Sequence, residues 1–259
     1  MEICVLASGS NGNALYVESL KTSTAVLIDC GISRRRVVNR LAQRGKSLEN
    51  VSAIFVTHEH TDHTRGLNVT CKLFDIPLFL TGGTYEGLKD KRHLNRIHLI
   101  EKNATIRIGD LIVNAIPKSH DALEPTAYSV SSNGKMFLYA TDFGKPDDEI
   151  KYLISRANAI LLEMNYDDAM LENGPYPYYL RQRIKSSHGH MSNLHSANLI
   201  FEYASSHLSH LILGHLSENN NRPEIVRGEI EKVLNQRQDL RPSVHIASRY
   251  QASELIRLR

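Results

Sequence analysis

The chain has 259 residues, of which 41% are hydrophobic and 23% charged, and its formal net charge at pH 7 is +3. This balance excludes a disordered or low-complexity chain, and so small a net charge does not by itself identify a nucleic-acid-binding protein. No apolar run approaches the roughly 18 residues of a membrane helix, and the N-terminal residues lack the basic segment of a signal peptide. Three cysteines without a CxxC pair are typical of a reduced compartment. We therefore expect a single domain over residues 1–259, in the cytoplasm and with no membrane partner.

The first part of the chain contains short β-rich runs separated by Gly, Ser and Asn turns. A helix is predicted at about Ser33–Arg44, where apolar residues recur on one face and Gly45 follows as a stop. The run Ala53–Thr57 has the length of a buried strand and ends directly at His58. The other strands predicted here are Ile3–Ala7, Ala14–Glu18 and Ala25–Asp29.

The remainder of the chain begins with three predicted strands and then alternates helices with strands. Asn133-Gly134 is a strong hairpin signal between the second and third of these strands. The predicted strands are Leu111–Pro117, Ala127–Ser132, Lys135–Ala140, Ala159–Glu163, His210–Gly214 and Ser243–Ala247, and the predicted helices are Asp147–Arg156, Asn193–Ser206 and Pro223–Gln236. Sheets interspersed with helices over one domain predict an α/β sandwich.

A histidine-rich motif follows the predicted strand Ala53–Thr57. It places His58, His60, Asp62 and His63 within six residues. Alternate side chains of an extended segment point the same way, and a turn would bring the last two residues toward a second point nearby. Imidazole and carboxylate ligands suit divalent transition metals, whereas Mg²⁺ and Ca²⁺ prefer oxygen. The motif predicts a site for two ions; the alternative is a polar turn that happens to be histidine-rich.

Four local ligands cannot complete two coordination shells, so further ligands are expected at other strand ends. His120 follows the strand Leu111–Pro117, Asp142 follows Lys135–Ala140, and His215 follows His210–Gly214. Taken singly, each of the three residues could be an ordinary loop residue or a half-buried polar group. Taken together with the histidine-rich motif, the three residues are candidates for the missing ligands.

The HxHxDH motif and the three strand-end residues together resemble the metallo-β-lactamase superfamily. The resemblance implies a four-layer αβ/βα sandwich with a dinuclear metal centre. It further implies one ion on His58, His60 and His120, a second ion on Asp62, His63 and His215, and Asp142 as a bridge between them. It also implies that Asp29 orients a ligand histidine as a hydrogen-bond acceptor; the alternative for Asp29 is a turn-forming residue before Gly31.

A closer resemblance covers nearly the whole chain. Ser8–Asn13 resembles the SGSxGN loop of the YycJ/WalJ branch, which is related to the ribonuclease Z and ribonuclease J nucleases. Further matching stretches run through residues 162–167, 170–171, 174–177, 180–184 and 189–193. Tyr166 stands where that branch often has His, and Met191 where it often has Leu. The resemblance implies a cytoplasmic, metal-dependent phosphodiesterase of the DNA 5′-exonuclease type.

Several polar residues are predicted to contact the substrate. The loop Ser8–Asn13 could present N–H groups to a phosphate or simply form a tight hairpin turn. The segment Tyr176–Lys185 could stack on bases or pack its tyrosines on the core. The helix Ser33–Arg44 carries five arginines and no acid, which suits a phosphate backbone or a solvated face. The predicted contacts are Ser8, Ser10, Asn11, Asn13, Asn165, Arg181, Arg183 and Ser192.

Asp62, Asp142 and His190 are the predicted catalytic residues. His190 immediately precedes a predicted helix, whose N-terminus would stabilise a phosphate, so it could protonate a departing alkoxide. Alternatively it caps the helix or packs beneath it.

The sequence and its resemblance thus predict a hydrolase with two divalent transition metal ions, Zn, Mn or Fe, that cleaves phosphodiester bonds in nucleic acid. The residues themselves do not distinguish DNA from RNA, and the resemblance favours DNA. One alternative is a small-molecule hydrolase of the same fold, acting on a cyclic or alkyl phosphodiester, a thioester or a lactone. The other is a regulatory protein with a structural metal, which a closed site with a single ion would indicate.

Overall fold

The structure is a computed structural model and describes residues 1–258. Its strands are β1 (Glu2–Ala7), β2 (Ala14–Glu18), β3 (Ala25–Ile28), β4 (Val51–Phe55), β5 (Leu78–Thr81), β6 (Ile97–Ile100), β7 (Thr105–Ile108), β8 (Leu111–Pro117), β9 (Thr126–Ser132), β10 (Lys135–Ala140), β11 (Ala159–Glu163), β12 (His210–Gly214), β13 (Ser243–Ile246) and β14 (Ile256–Arg257). The helices are α1 (Arg34–Ala42), α2 (Thr61–Thr64), α3 (Leu67–Phe74), α4 (Gly82–Gly87), α5 (Asp148–Arg156), α6 (Asp168–Asn173), α7 (Tyr178–Lys185), α8 (Asn193–Tyr203) and α9 (Pro223–Gln236), with a 3₁₀ turn at Leu48–Asn50.

The chain divides into two compact units. Unit 1 comprises Met1–Pro117, Ala122–Lys135 and the C-terminal segment from Ala247, and unit 2 comprises Lys118–Asp121 and Met136–Ile246.

Unit 1 is built on a mixed seven-stranded sheet with the order β14-β1-β2-β3-β4-β5-β6. β1, β2 and β3 pair antiparallel, whereas β3 to β6 run parallel, so the carboxyl ends of β3 and β4 lie at the same edge. The strands β7, β8 and β9 of this unit form antiparallel pairs. The edge at the ends of β3 and β4 receives the residues that follow Ile28 and Phe55.

The core of unit 1 is formed by the central strands and α1. Every residue of β1, β2 and β3 is buried, which explains their nearly continuous apolar sequences. α1 buries Val37 and Leu41 against this core and, unexpectedly for a charged residue, also Arg40. Its remaining arginines face outward, so the helix is amphipathic as predicted.

Unit 2 is built on the parallel strands β10-β11-β12-β13. Leu138 pairs with Ile160, and Ile160 pairs with Leu211, so the three central strands run in register. Helices α5, α8 and α9 bury apolar residues such as Ile150 and Ile230. Because carboxyl ends of parallel strands meet at one edge, the residues after β10, β11 and β12 converge there.

Most of the predicted strands and helices are confirmed, and the differences lie at their ends. β3 ends at Ile28 because Asp29 adopts a left-handed φ of 62°, which a strand cannot continue. α8 ends at Tyr203, three residues before the predicted end. The sequence analysis missed short elements, among them β5, β6 and α3. Among residues 1–258, no helix combines the length and the apolar character that crossing a membrane would require.

Candidate metal centre

The HxHxDH motif of unit 1 extends from the end of β4 into α2. His58 and His63 are fully buried, and their ring centroids are 4.1 Å apart. Nε2 of His58 lies 3.1 Å from Nδ1 of His60, and Nε2 of His63 lies 3.4 Å from a carboxylate oxygen of Asp62. The structure therefore brings together all four residues that the motif predicts as ligands.

The remaining ionisable residue of the motif, Glu59, is directed elsewhere. Its Oε1 accepts a hydrogen bond of 2.8 Å from the backbone N–H of Leu123. Its side chain also lies against Gly87, where a Cβ would come within 2.5 Å of the Glu59 Cγ. Glu59 therefore holds neighbouring segments of unit 1 together.

Asp29 anchors the motif from the end of β3. It is fully buried, and its Oδ2 lies 2.7 Å from Nδ1 of His63. A carboxylate can only accept, so Nδ1 of His63 carries the proton and the lone pair is on Nε2, the atom a metal requires. Oδ1 of Asp29 also accepts from the backbone N–H of Thr57 at 2.8 Å. The structure thus places Asp29 where the predicted orienting role needs it.

The loop Ser8–Asn13 packs against the motif through its main chain. The backbone N–H of Asn13 donates to the carbonyl of Asp62 at 2.7 Å, and the backbone N–H of Gly31 donates to the carbonyl of Asn13 at 2.7 Å. A Cβ on Gly31 would lie 1.5 Å from the Asp62 carbonyl oxygen, so only glycine fits there. This close approach fixes the position of the motif relative to the loop.

The predicted substrate residues of this loop differ in exposure. Asn13 is fully buried, and its amide nitrogen lies 3.3 Å from Oδ2 of Asp62 and 3.1 Å from Nε2 of His63. Ser8 is buried as well, whereas Ser10 and Asn11 are exposed. Only the exposed pair is presented on the surface of the loop.

Unit 2 collects a second group of candidate ligands at the ends of its parallel strands. Asp142 follows β10, Glu163 ends β11 and His215 follows β12, while His190 precedes α8. One ligand atom from each of the four lies within 4.8 Å of the others. Nε2 of His215 lies 3.2 Å from Oδ1 of Asp142. Asp142 and His215 both adopt left-handed backbone conformations, with φ of 57° and 56°.

Glu163 is a candidate-site residue that the sequence analysis missed. It is fully buried, and its Oε1 accepts hydrogen bonds from Nδ1 of His190 at 2.7 Å and from Nδ1 of His215 at 2.9 Å. Burial alone would raise the pKa of this carboxyl, but the adjacent His190 and His215 outweigh burial and hold its pKa well below the usual range. Glu163 therefore stays ionised and orients both rings. The sequence did contain a signal for this role: Glu163 is a charged residue at the end of an otherwise apolar strand, and the strands before and after it in the chain are each followed by a candidate ligand.

His120 enters unit 2 through the short segment Lys118–Asp121. Its Nδ1 donates to the carbonyl of Gly189 at 3.3 Å, and its Nε2 lies 3.4 Å from Oδ1 of Asp121. Burial lowers the pKa of His120 to about 4. The imidazole is therefore neutral at pH 7, which is the form that binds metal.

The predicted substrate residues of unit 2 all have protein partners. The amide nitrogen of Asn165 donates to the carbonyl of His215 at 2.9 Å, and the hydroxyl of Ser192 caps α8 by accepting from the His195 N–H. Arg183 donates to Asp121 at 2.6 Å, and Arg181 forms an ion pair with Glu172. The tyrosines beside these arginines, Tyr178 and Tyr179, are exposed and do not pack on the core.

Known proteins of similar sequence and structure identify the family. A family model described as a β-lactamase superfamily domain matches residues 24–215. The chain is 32% identical over 226 residues to the exodeoxyribonuclease WalJ of Streptococcus pneumoniae, covering 85% of this chain and 83% of that protein. It is 33% identical over 243 residues to the exodeoxyribonuclease YycJ of Bacillus anthracis, covering 92% and 90%.

The fold is similar to a solved structure, that of the metallo-β-lactamase fold protein YhfI from Bacillus subtilis. The TM-score is 0.72 at 18% identity, over 97% of this chain and 98% of that one. This similarity confirms the predicted α/β sandwich of the metallo-β-lactamase fold. The chain therefore belongs to the metallo-β-lactamase superfamily, in the family that includes the WalJ and YycJ exodeoxyribonucleases.

Proposed function

We propose that this chain is a metal-dependent phosphodiesterase that degrades nucleic acid, with DNA as its substrate and the 5′ end as its point of attack. The main observation in support is that both units contain the same hydrogen-bonded pair of a carboxylate and a histidine. In each, a buried carboxylate accepts a hydrogen bond from Nδ1 of a histidine, Asp29 from His63 and Glu163 from His215. This arrangement presents Nε2 for coordination and is typical of metal ligands. The named activity of the WalJ and YycJ relatives supports the choice of DNA.

We further propose that the two groups of ligands hold two divalent transition metal ions in one dinuclear centre. The donor chemistry fits, because imidazole and carboxylate groups suit Zn, Mn or Fe, and the buried imidazole of His120 is neutral at pH 7. The ligands would be His58, His60 and His120 for one ion, Asp62, His63 and His215 for the other, and Asp142 for both. When bound, two such ions supply Lewis acidity toward water and toward the oxygens of a phosphodiester.

The chain's own residues supply orientation and a proton. Asp62, whose side chain is 21% exposed, can accept a hydrogen bond from the attacking water. His190 is 23% exposed, and its Nδ1 donates to Glu163, so its Nε2 is the proton donor for the leaving alkoxide. The hydrogen bond from Nδ1 to Glu163 fixes the orientation of the His190 ring.

We infer that residues 1–259 form one hydrolase domain, located in the cytoplasm. The family match spans residues 24–215 and includes parts of both units. Cys4, Cys30 and Cys71 are all buried free thiols, which supports a reduced compartment.

Incubation of the protein with end-labelled DNA and RNA, single- and double-stranded, tests this function. We expect Mn²⁺ or Zn²⁺ to support release of mononucleotides from the 5′ end of DNA, and a chelator to stop it. The Asp142→Asn variant is the control for contaminating nucleases. Hydrolysis of a thioester or lactone with no cleavage of any nucleic acid would identify the small-molecule alternative instead.

A further inference from the structure

Unit 1 contains an arginine-lined cleft of about 340 Å³ that the metal-ligand groups do not occupy. We call it the arginine cleft. Its lining contains no Asp or Glu, so no carboxylate of the wall offsets the positive charge. The lining residues used below are Asn11, Arg36, Arg40, Arg65, Arg249 and Tyr250.

Arg40 forms the base of the arginine cleft. It is only 8% exposed, and its guanidinium donates to the backbone carbonyls of Leu6, Arg249 and Tyr250. These acceptors are neutral, so Arg40 keeps a net positive charge in a buried position. Burial, and then the positive charge of Arg36, lower the pKa of Arg40, and two like charges this close repel each other. Anion binding would relieve this repulsion.

The rim of the arginine cleft carries two exposed arginines. Arg36 lies one turn before Arg40 on α1 and forms no ion pair with any residue in the described range 1–258. Arg65 follows α2 and donates to the carbonyl of Asn11 at 3.3 Å, which orients its guanidinium without neutralising it. Guanidinium groups bind phosphate oxygens in pairs of parallel hydrogen bonds.

Tyr250 adds an aromatic surface beside these charges. Tyr250 is 73% exposed as a whole residue, and the Arg249 guanidinium carbon lies 5.9 Å from its ring centroid. An exposed ring next to several guanidinium groups suits a ligand with a phosphate and a planar base.

The arginine cleft is linked to the candidate metal ligands within unit 1. Arg65 comes one helical turn after Asp62, and Asn11 belongs to the loop whose Asn13 contacts Asp62. A strand bound in the cleft would therefore continue along the same loop and helix as the motif.

We propose that the arginine cleft binds a phosphate group of a nucleic acid strand, through Arg36 and Arg65 over Arg40, and that Tyr250 stacks on the adjacent base. Taking the ligand as nucleic acid rests on the function proposed above. The bound phosphate is either the terminal 5′-phosphate or an internal phosphodiester, and both present the same oxygens to the arginines.

Fluorescence anisotropy with labelled phosphorothioate oligonucleotides, which resist cleavage, tests this assignment on the full chain. We expect Arg36→Ala and Arg65→Ala each to weaken binding about tenfold. Each should also flatten the slope of log affinity against log salt concentration by roughly 0.7, because one phosphate fewer is neutralised. Tyr250→Ala should weaken binding by about fivefold or more, the usual range for a stacking ring. The matched control is Arg35→Ala, since Arg35 is exposed on the same helix and does not line the cleft.

A comparison of 5′-phosphorylated and 5′-hydroxyl oligonucleotides separates the two phosphate sources. A weakening confined to the phosphorylated strand assigns the cleft to the terminal phosphate, and an equal weakening on both strands assigns it to an internal one. The proposal is wrong if Arg36→Ala and Arg65→Ala bind with the affinity and salt dependence of Arg35→Ala.

Hydrolysis of bis(nitrophenyl) phosphate and DNA by the unmodified protein separates this proposal from the proposed function. If neither is hydrolysed while the cleft variants still lose DNA binding, the phosphodiesterase function fails and the arginine cleft stands. If DNA is degraded while every cleft variant binds like the control, the cleft fails and the function stands. Unchanged thermal midpoints for the variants at the exposed Arg36 and Arg65 would show that folding does not account for the weaker binding.

Discussion

Oδ2 of Asp29 lies 2.7 Å from Nδ1 of His63, and both side chains are completely buried. The carboxylate fixes the tautomer of the ring, and the backbone N–H of Thr57 holds the other carboxylate oxygen. Because the pair is removed from water, the orientation of His63 does not depend on a solvent-exposed contact. The proposed metal site therefore depends on a residue that would not itself bind metal.

Replacement of Asp29 by Asn tests this dependence. The amide can present its NH₂ group to Nδ1 of His63, which would move the ring proton to Nε2 and remove the metal-binding lone pair. We expect metal affinity to fall about 10- to 100-fold, the usual effect of losing such a partner. Metal titration followed by elemental analysis measures the change. Asp90→Asn, at an exposed ion pair with Arg92, is the matched control, and equal affinities in the two variants would contradict the assigned role.

Asp142 is proposed to bind both ions, so its removal should affect both. We expect the protein as isolated to contain close to two equivalents of transition metal and Asp142→Ala to lower the occupancy of both sites. Elemental analysis before and after dialysis provides the measurement. One tightly bound ion that survives in Asp142→Ala would rule out the dinuclear centre.

His190 is proposed to protonate the leaving group, so its removal should affect rate and not metal content. We expect His190→Ala to retain both ions and lose about 10²–10⁴ in rate on DNA. The loss should shrink on nitrophenyl esters, whose leaving group needs no proton. The exposed neighbour His188 provides the control variant His188→Ala. An equal loss on both substrates, or a loss of metal, would exclude His190 as the acid.

The ion pairs of Glu2 should make the stability of the folded protein depend on pH in the acid range. Burial alone would raise the pKa of this carboxyl, but hydrogen bonds from Lys46 and Arg257 outweigh it, and the pKa lies below the ordinary value. The ion pairs therefore stabilise the folded state above the unfolded pKa, and this stabilisation is lost as the pH falls through the lowered folded pKa.

We expect Glu2→Gln to reduce the free energy of unfolding at pH 7 by about 1.5–3 kcal/mol. The difference between the variant and the unmodified protein should diminish below about pH 4, because protonation of Glu2 then removes from the unmodified protein the charge that the variant already lacks. Urea unfolding at several pH values measures this difference. A constant difference across the range would show that the lost stability is not electrostatic.

The candidate ligands could be predicted from the sequence because their signal is local. The HxHxDH motif and the positions of Asp142 and His215 at strand ends need only the chain order and the strand periodicity. Glu163 could not be predicted in this way, because its role arises from the pairing of β11 between β10 and β12. Two of its partners, His190 and His215, lie 27 and 52 residues away.

The arginines in and directly after α1 show the same limit of prediction from the sequence. Their spacing predicts a charged face, which Arg36 confirms. It gives no indication that Arg40 is buried, because the carbonyls that receive its hydrogen bonds include two from residues more than 200 positions later. Arg44 likewise donates to Ser253 and pairs with Glu254 and is therefore engaged by the C-terminal segment. Short elements such as β5 and β6 were missed because four residues are too few to show a period.

Asp29, Asp142 and His215 have left-handed backbone conformations. At these positions the residue that would be best for thermal stability differs from the residue that the proposed function needs. Such a conformation costs an ordinary residue about 1–2 kcal/mol, and glycine would avoid the cost. Selection for heat resistance alone would therefore favour glycine at these three positions, each time at the expense of a proposed ligand or its orienting partner. Variants of this protein evolved for thermal stability should accordingly be screened for retained metal before they are screened for melting temperature.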